Sequence, residues 1–451
     1  MRRIASLDWR GTGSAPERPV IVRGARALDP RAGIDARHDI VVRDGEIAEL
    51  AAPGSAELEG AEVIEAEGLV AVPAFFDPHV HLRVPGREDK EDIETGTRAA
   101  AAGGYCGIIA MANTDPPVDT PGAIDSLRER ARVDASVPVG FVATVTRGMR
   151  GEELTDMTEL AAAGAVGFSD DGLPIRSARV MRRALQYQAL AGLQIALHEE
   201  DPELSGSGVM HEGEVSAAVG MAGIPSVSET AMILRDAALA GYESARIHVQ
   251  HLSAAESVEA VARAKEDGVQ ITCEATPHHL TLTDEAVRSL DARYKMNPPL
   301  RTEADRQALI EGLRSGVIDC IATDHAPHTR QEKEVPFEQA AMGVTGLETA
   351  FAVLYTDLVL PGVLPLELIV ERLGSGAAAF GFEPASLKPG SEANVTLLDL
   401  ERTWEAGAGG WESRSGNSFA AGRELTGQVL ATIAGGEVAY RQRSFAMGVA
   451  Q

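Results

Sequence analysis

Between positions 72 and 323, eight apolar runs alternate with Ala- and Leu-rich stretches of helical spacing, and no other feature restricts the fold of this chain so strongly. The runs span 72–79, 106–111, 139–145, 165–169, 194–198, 245–251, 269–273 and 318–323, and the stretches between them include 93–102, 154–163, 227–239, 255–266 and 303–313. Strands apolar on both faces suit a parallel sheet covered on both sides. Eight strand–helix units in succession predict an α/β fold, a (β/α)8 TIM-like barrel. The two ends of the chain read differently. Short strands with turn punctuation occur at Val20-Ile21-Val22, at Ile40-Val41-Val42 before Asp44-Gly45, and at Glu62-Val63-Ile64, and the style returns at 393–398 and 428–433. Both ends therefore predict one small composite β-sandwich domain. The expected boundaries are 1–72 for its N-terminal part (with 1–18 as a loose leader), 73–381 for the barrel and 382–451 for its C-terminal part.

A barrel of this kind places its chemistry at the C-terminal ends of the strands. The polar residues sort accordingly. Strand one ends in His79, His81 and Arg83, strand two in Asn113, and strand four in Asp170 and Asp171. Strand five ends in His198, strand six in His248 and His251, strand seven runs into His278-His279, and strand eight into Asp324, His325 and His328. Of the 11 histidines only His38 and His211 fall elsewhere, so the sorting is not that of scattered core or surface residues. In an extended strand His79 and His81 point to the same side, with Arg83 beyond them. Two convergent imidazoles form a half-site for Zn²⁺ or a similar ion, and a nearby guanidinium suits a carboxylate. His248 and His251 lie three apart and face opposite sides of a strand, so only one of them enters the barrel mouth.

Composition sets outer limits. The net charge of −26 argues against nucleic-acid backbone and anionic membrane surfaces as partners. A few local arginines and histidines can still reverse the field inside a cleft. No apolar run reaches the roughly 20 residues that span a bilayer, and Met1-Arg2-Arg3 is followed by no apolar signal core. The three widely spaced cysteines, Cys106, Cys273 and Cys320, read as buried reduced thiols of a cytoplasmic protein.

Two longer motifs carry a resemblance. Asp77-Pro78-His79-Val80-His81-Leu82-Arg83, followed by Pro85-Gly86 and Lys90-Glu91-Asp92-Ile93-Glu94-Thr95-Gly96, resembles the dihydroorotase signature of the amidohydrolase superfamily. Ala322-Thr323-Asp324-His325-Ala326-Pro327-His328 resembles that family's second signature. The likeness extends through Gly167-Phe168-Ser169-Asp170-Asp171-Gly172, through the stretch 295–301 and through Gly346-Leu347-Glu348-Thr349.

The resemblance implies a cyclic amidohydrolase that interconverts N-carbamoyl-L-aspartate and L-dihydroorotate with one or two Zn²⁺ ions. It implies His79 and His81 on one metal, Asp171 as the bridge, His198 and His251 on a second, and Asp324 on the first metal and as catalytic base. It further implies Arg83, Asn113, Asn297 and His328 as substrate contacts, a homo-oligomer, and a complex with aspartate transcarbamoylase. Aspartate at 171, where many superfamily members carry a carboxylated lysine, is similar to the bacterial class I dihydroorotases. Val84 and Ala341 depart from a frequent acidic residue and a frequent proline, and neither supplies a ligand. Two other readings compete. One is an allantoinase- or hydantoinase-like hydrolase, for which lysine at 171 and no Arg83 are expected. The other is a catalytically silent scaffold for the transcarbamoylase, for which loss of the His-x-His pair or of Asp324 is expected.

Overall fold

The computed structural model describes residues 1–14, 16 and 18–446; Ala15 and Glu17 of the leader and the final stretch 447–451 lie outside the described residues. The chain begins its regular structure with three antiparallel strands, β1 (Val20–Asp29), β2 (Ile34–Arg43) and β3 (Glu46–Ala51). Asp44 and Gly45 form the tight turn between β2 and β3 with φ of 55° and 78°, the left-handed pair that a two-residue hairpin requires. Next come β4 (Glu62–Glu65) and β5 (Val70–Pro73), both parallel to β1. The register of β1 shifts between Val22 and Ala25, so β4 lies beside its first half and β5 beside its second.

The C-terminal strands β16 (Val395–Glu405), β17 (Glu424–Ala434) and β18 (Glu437–Arg441) continue antiparallel from β5. Both chain ends thus build one composite β domain. It is a single branched sheet of eight strands, and its buried face gathers Val22, Ile40, Ile64, Val395, Leu397 and Ile433 into an apolar core.

Eight parallel strands form the barrel: β6 (Phe75–Val80), β7 (Tyr105–Ala110), β8 (Val139–Ala143), β9 (Gly167–Phe168), β10 (Gln194–Leu197), β13 (Arg246–Val249), β14 (Gln270–Ala275) and β15 (Cys320–Ile321). Between β10 and β13 the chain forms a separate two-stranded parallel pair, β11 (Met210–His211) and β12 (Gly223–Ile224). A bridge from Val80 to His325 brings the last strand back to the first, with His81 N donating to His325 O at 2.9 Å. Asp77 reinforces that seam. Its carboxylate accepts the backbone N–H and hydroxyl of Thr323 and the N–H of His79. The barrel helices carry local signals of their own. Helix Ile93–Ala102 starts at a capping box between Asp92 and Thr95 and buries its alanine-rich side.

The leader is not loose over its described part. Ile4, Leu7 and Trp9 are buried, Arg2 bridges to Phe382, and Asp8 bridges to Val139 at the start of β8. A side chain at Gly107 would meet Ile4, and one at Gly140 would approach Leu7. The segment therefore covers the N-terminal end of the barrel. Its three large apolar residues are the signal for that packing, and the Gly/Ser/Pro-rich text around them masks it.

Candidate active site

Each strand end delivers its side chain to one point. From β6, His79 Nε2 lies 3.4 Å from Asp324 Oδ1 and 3.7 Å from Asp171 Oδ1. His81 Nε2 lies 3.0 Å from Asp324 Oδ1 and 3.4 Å from Asp171 Oδ2. On the other side of Asp171, His198 Nδ1 and His251 Nε2 approach it to 3.7 and 3.9 Å and each other to 2.8 Å. All six side chains are buried. The structure thus brings the residues expected to ligate metal together: His79 and His81 form one group with Asp171, His198 and His251 a second with the same Asp171, and Asp324 lies against the first. Of the two strand-six histidines, His251 faces the site. His248 turns away, accepting from Thr272 Oγ1 at 2.8 Å and donating to Glu274 Oε2 at 3.0 Å.

The donor set fits a divalent cation. His79 Nδ1–H donates to Glu274 Oε1 at 2.6 Å, and His81 Nδ1–H donates to Asn113 Oδ1 at 2.9 Å. Both Nε2 atoms then present lone pairs toward carboxylate oxygens, and His79 Nε2 is buried with no hydrogen-bond partner. His198 is fixed in the opposite sense, with Nε2–H donating to Glu200 Oε2 at 3.1 Å and Nδ1 turned to His251. Acceptors gathered this closely repel one another unless protons or a cation lie between them. Nitrogen and carboxylate donors of this kind suit a zinc-type ion.

Electrostatics follow the same geometry. Burial opposes ionisation of Asp171 and Asp324, yet the surrounding imidazoles, His79 foremost, outweigh it and hold both carboxyls below their ordinary range. Burial, with His198 and His79 adding to it, pushes His251 down to about 3. Three backbones here are also unusual. Arg83, His251 and Asp324 have φ of 58°, 32° and 47°, a region that non-glycine residues adopt at a cost when the surroundings impose it.

The expected substrate contacts divide. Arg83 is half-buried, donates from Nε to Pro327 O at 3.2 Å, and has no carboxylate ion-pair partner among the described residues. His328 Nε2 lies 3.5 Å from its guanidinium. Asn113 is already engaged with the ligands: beyond accepting from His81, it donates from Nδ2 to Asp171 Oδ2 at 3.1 Å. Asn297 donates to Glu200 Oε2 at 2.6 Å. A cavity of about 800 Å³ opens beside Glu200, Asn297, Gly172 and Met342 and leads to the exposed Leu173.

Sequence reasoning missed two carboxylates. Glu274 ends the apolar strand β14, where a buried acid is costly unless paired; that cost was the available signal. Glu200 lies two residues beyond His198. Glu199, between them, turns instead toward Asp236 and Arg235.

A family model described as dihydro-orotase-like matches residues 68–257. A dihydroorotase of Pelotomaculum thermopropionicum is 44% identical over 425 residues, covering 94% of this chain and 99% of that protein. One of Geobacter metallireducens is 43% identical over 94% of this chain and 100% of its own. The chain belongs to the dihydroorotase family. Among solved structures, an L-hydantoinase (dihydropyrimidinase) from Arthrobacter aurescens shares the dihydroorotase-family fold with a TM-score of 0.82, at 27% identity over 93% of this chain and 95% of that one. A dihydropyrimidinase from Brevibacillus agri, 22% identical over 94% of this chain and 95% of that one, aligns with a TM-score of 0.81. No helix among the described residues is long and apolar enough to cross a membrane.

Proposed function

We propose that this chain is a metal-dependent dihydroorotase that interconverts L-dihydroorotate and N-carbamoyl-L-aspartate. The observation that carries the substrate assignment is Arg83. A half-buried guanidinium with no carboxylate ion-pair partner among the described residues, next to a cluster of metal-type donors, is poised for an anionic substrate. The neutral rings of hydantoins make no use of it.

His79, His81 and Asp324 would hold one Zn²⁺, and His198 and His251 a second, with Asp171 between them. Such an ion lowers the pKa of water from 15.7 to about 7 and polarises a carbonyl oxygen. The protein's own residues do the rest. Arg83, with His328 beside it, fixes the substrate carboxylate and so sets the ring amide over Asp324. In the hydrolytic direction a C–O bond to water forms and the ring C–N bond breaks. Asp324 accepts the water proton and delivers it to the departing nitrogen, and ring closure reverses each transfer. Burial of the site excludes bulk water from competing. Asn113 and Asn297 keep His81 and Glu200 in place.

The same reading extends to a cytoplasmic homo-oligomer with aspartate transcarbamoylase as candidate partner. Exposed Leu190, Leu234 and Tyr242 on the barrel helices support a protein contact. The decisive assay compares dihydroorotate and hydantoin turnover by the zinc-loaded wild type and by Asp324→Asn. Turnover of dihydroorotate alone, lost in the variant, is expected; hydantoin turnover without dihydroorotate turnover would refute the assignment.

A further inference from the structure

Behind each half of the candidate metal centre stands one carboxylate that belongs to neither of the two groups sharing Asp171. Glu274 is buried and receives three donors. His79 Nδ1 reaches its Oε1 at 2.6 Å, the backbone N–H of His251 reaches the same oxygen at 3.2 Å, and His248 Nε2 reaches Oε2 at 3.0 Å. Glu200 accepts from His198 Nε2 at 3.1 Å and is itself held by Asn297 Nδ2 at 2.6 Å.

These contacts decide which ring nitrogen each histidine offers. Donation from Nδ1 leaves His79 with its Nε2 lone pair facing Asp171 and Asp324. Donation from Nε2 leaves His198 with its Nδ1 lone pair facing His251 and Asp171. A carboxylate acceptor also makes the imidazole a better donor to a metal. Glu274 has a second task, because its bond to the His251 amide restrains a backbone at φ 32°.

We propose that Glu274 and Glu200 are the positioning residues of the two half-sites. Glu200 tunes the second site alone, whereas Glu274 tunes the first through His79 and reaches the second through His251. This rests on the metal-dependent reading above, but its test needs no substrate. Failure of wild type to turn over dihydroorotate would overturn the activity and leave the binding result standing.

The experiment is competitive zinc titration of the metal-stripped full chain against a chromophoric chelator, with thermal unfolding of the same samples. Glu200→Gln is expected to weaken the second equivalent of zinc by about 10- to 100-fold while changing the first less than about threefold. Glu274→Gln is expected to weaken both. If Glu274→Gln does not fold, Glu274→Asp, which keeps the charge but shortens the reach, is expected to weaken the first equivalent. Three outcomes overturn the proposal: wild-type affinity in the variants, equal loosening of both ions in Glu200→Gln, or a wild type that binds a single zinc.

Discussion

The two ends of the barrel are built on opposite terms. At the N-terminal end Ile4, Leu7 and Trp9 cover the strands with apolar surface. The one buried charge there, Asp8, is matched by Arg128 at 2.6 Å and Arg132 at 2.9 Å. At the C-terminal end the groups are withdrawn from solvent but mismatched. Among the described residues Arg83 has no carboxylate ion-pair partner, His79 Nε2 has no hydrogen-bond partner, and imidazole nitrogens face carboxylates. Three of the seven non-glycine residues with positive φ among the described residues, namely Arg83, His251 and Asp324, are gathered at this end. One scaffold thus separates stability from chemistry: apolar packing and matched charge at the floor hold up the mismatched groups at the mouth.

Substitutions at the two ends can break that contrast. The largest effect belongs to Asp324→Asn, which removes both the proposed base and a proposed metal ligand. Dihydroorotate turnover should fall by on the order of 10³-fold with the fold retained, measured as kcat/KM beside a circular-dichroism melt. At the floor the expectation inverts. Ile4→Ala empties a fully buried site and should cost roughly 2–5 kcal/mol in denaturant unfolding while leaving kcat unchanged. If its kcat fell in step with stability, the two ends would not be separable.

Arg83→Met sharpens the comparison from the other side. Loss of the partner for a substrate carboxylate should raise KM by about 100-fold. Stability should hold or rise, because a half-buried cation without an ion-pair partner among the described residues is exchanged for an apolar side chain of similar length. A drop in melting temperature would show instead that the guanidinium serves the fold through its bond to Pro327.

How far the sequence carries depends on whether a local pattern or a distant partner decides the matter. Helices Ile93–Ala102 and Ala255–Glu266 have the limits that their helical spacing predicts. The eight strands fall where the apolar runs do. Strands β9 and β15, however, shrink to Gly167–Phe168 and Cys320–Ile321, because only that much of each run finds ladder partners. His79, His81, Asp171, His198, His251 and Asp324 could be singled out because strand ends are visible in sequence. Glu274 offered only the cost of a buried acid as a signal, since its three donors come from β6 and from the strand and loop of 246–251. Asn113 illustrates the same limit. Its position after strand two is legible, but its contacts with His81 and Asp171 appear only in three dimensions. The packed leader was hidden for that reason too, as Ile4 meets β7 a hundred residues away.

The smallest effect tests whether the mouth contains any ion pair that behaves like the floor's. Glu332 pairs with Lys90 at 2.8 Å and Arg87 at 3.1 Å, and accepts the N–H of Thr329, pinning the segment that follows His328. Burial opposes its ionisation, but the Lys90, Thr329 and Arg87 contacts together outweigh it and hold its pKa down to about 2, from an ordinary 4.5. A carboxyl whose pKa is lower in the folded chain than in the unfolded one stabilises the fold above the unfolded value. That contribution is lost as the pH falls through the folded value. Metal-free wild type should therefore exceed Glu332→Gln in stability at pH 7 by no more than about 1 kcal/mol, because the pair is partly solvated. The gap should close as the pH falls from about 4.5 to about 2. The variant should also raise KM a few-fold at neutral pH, since His328 Nδ1 lies 3.5 Å from the same carboxylate. A stability gap that persisted at pH 2 would mean that Glu332 acts by packing, leaving the mouth without a stabilising charge of its own.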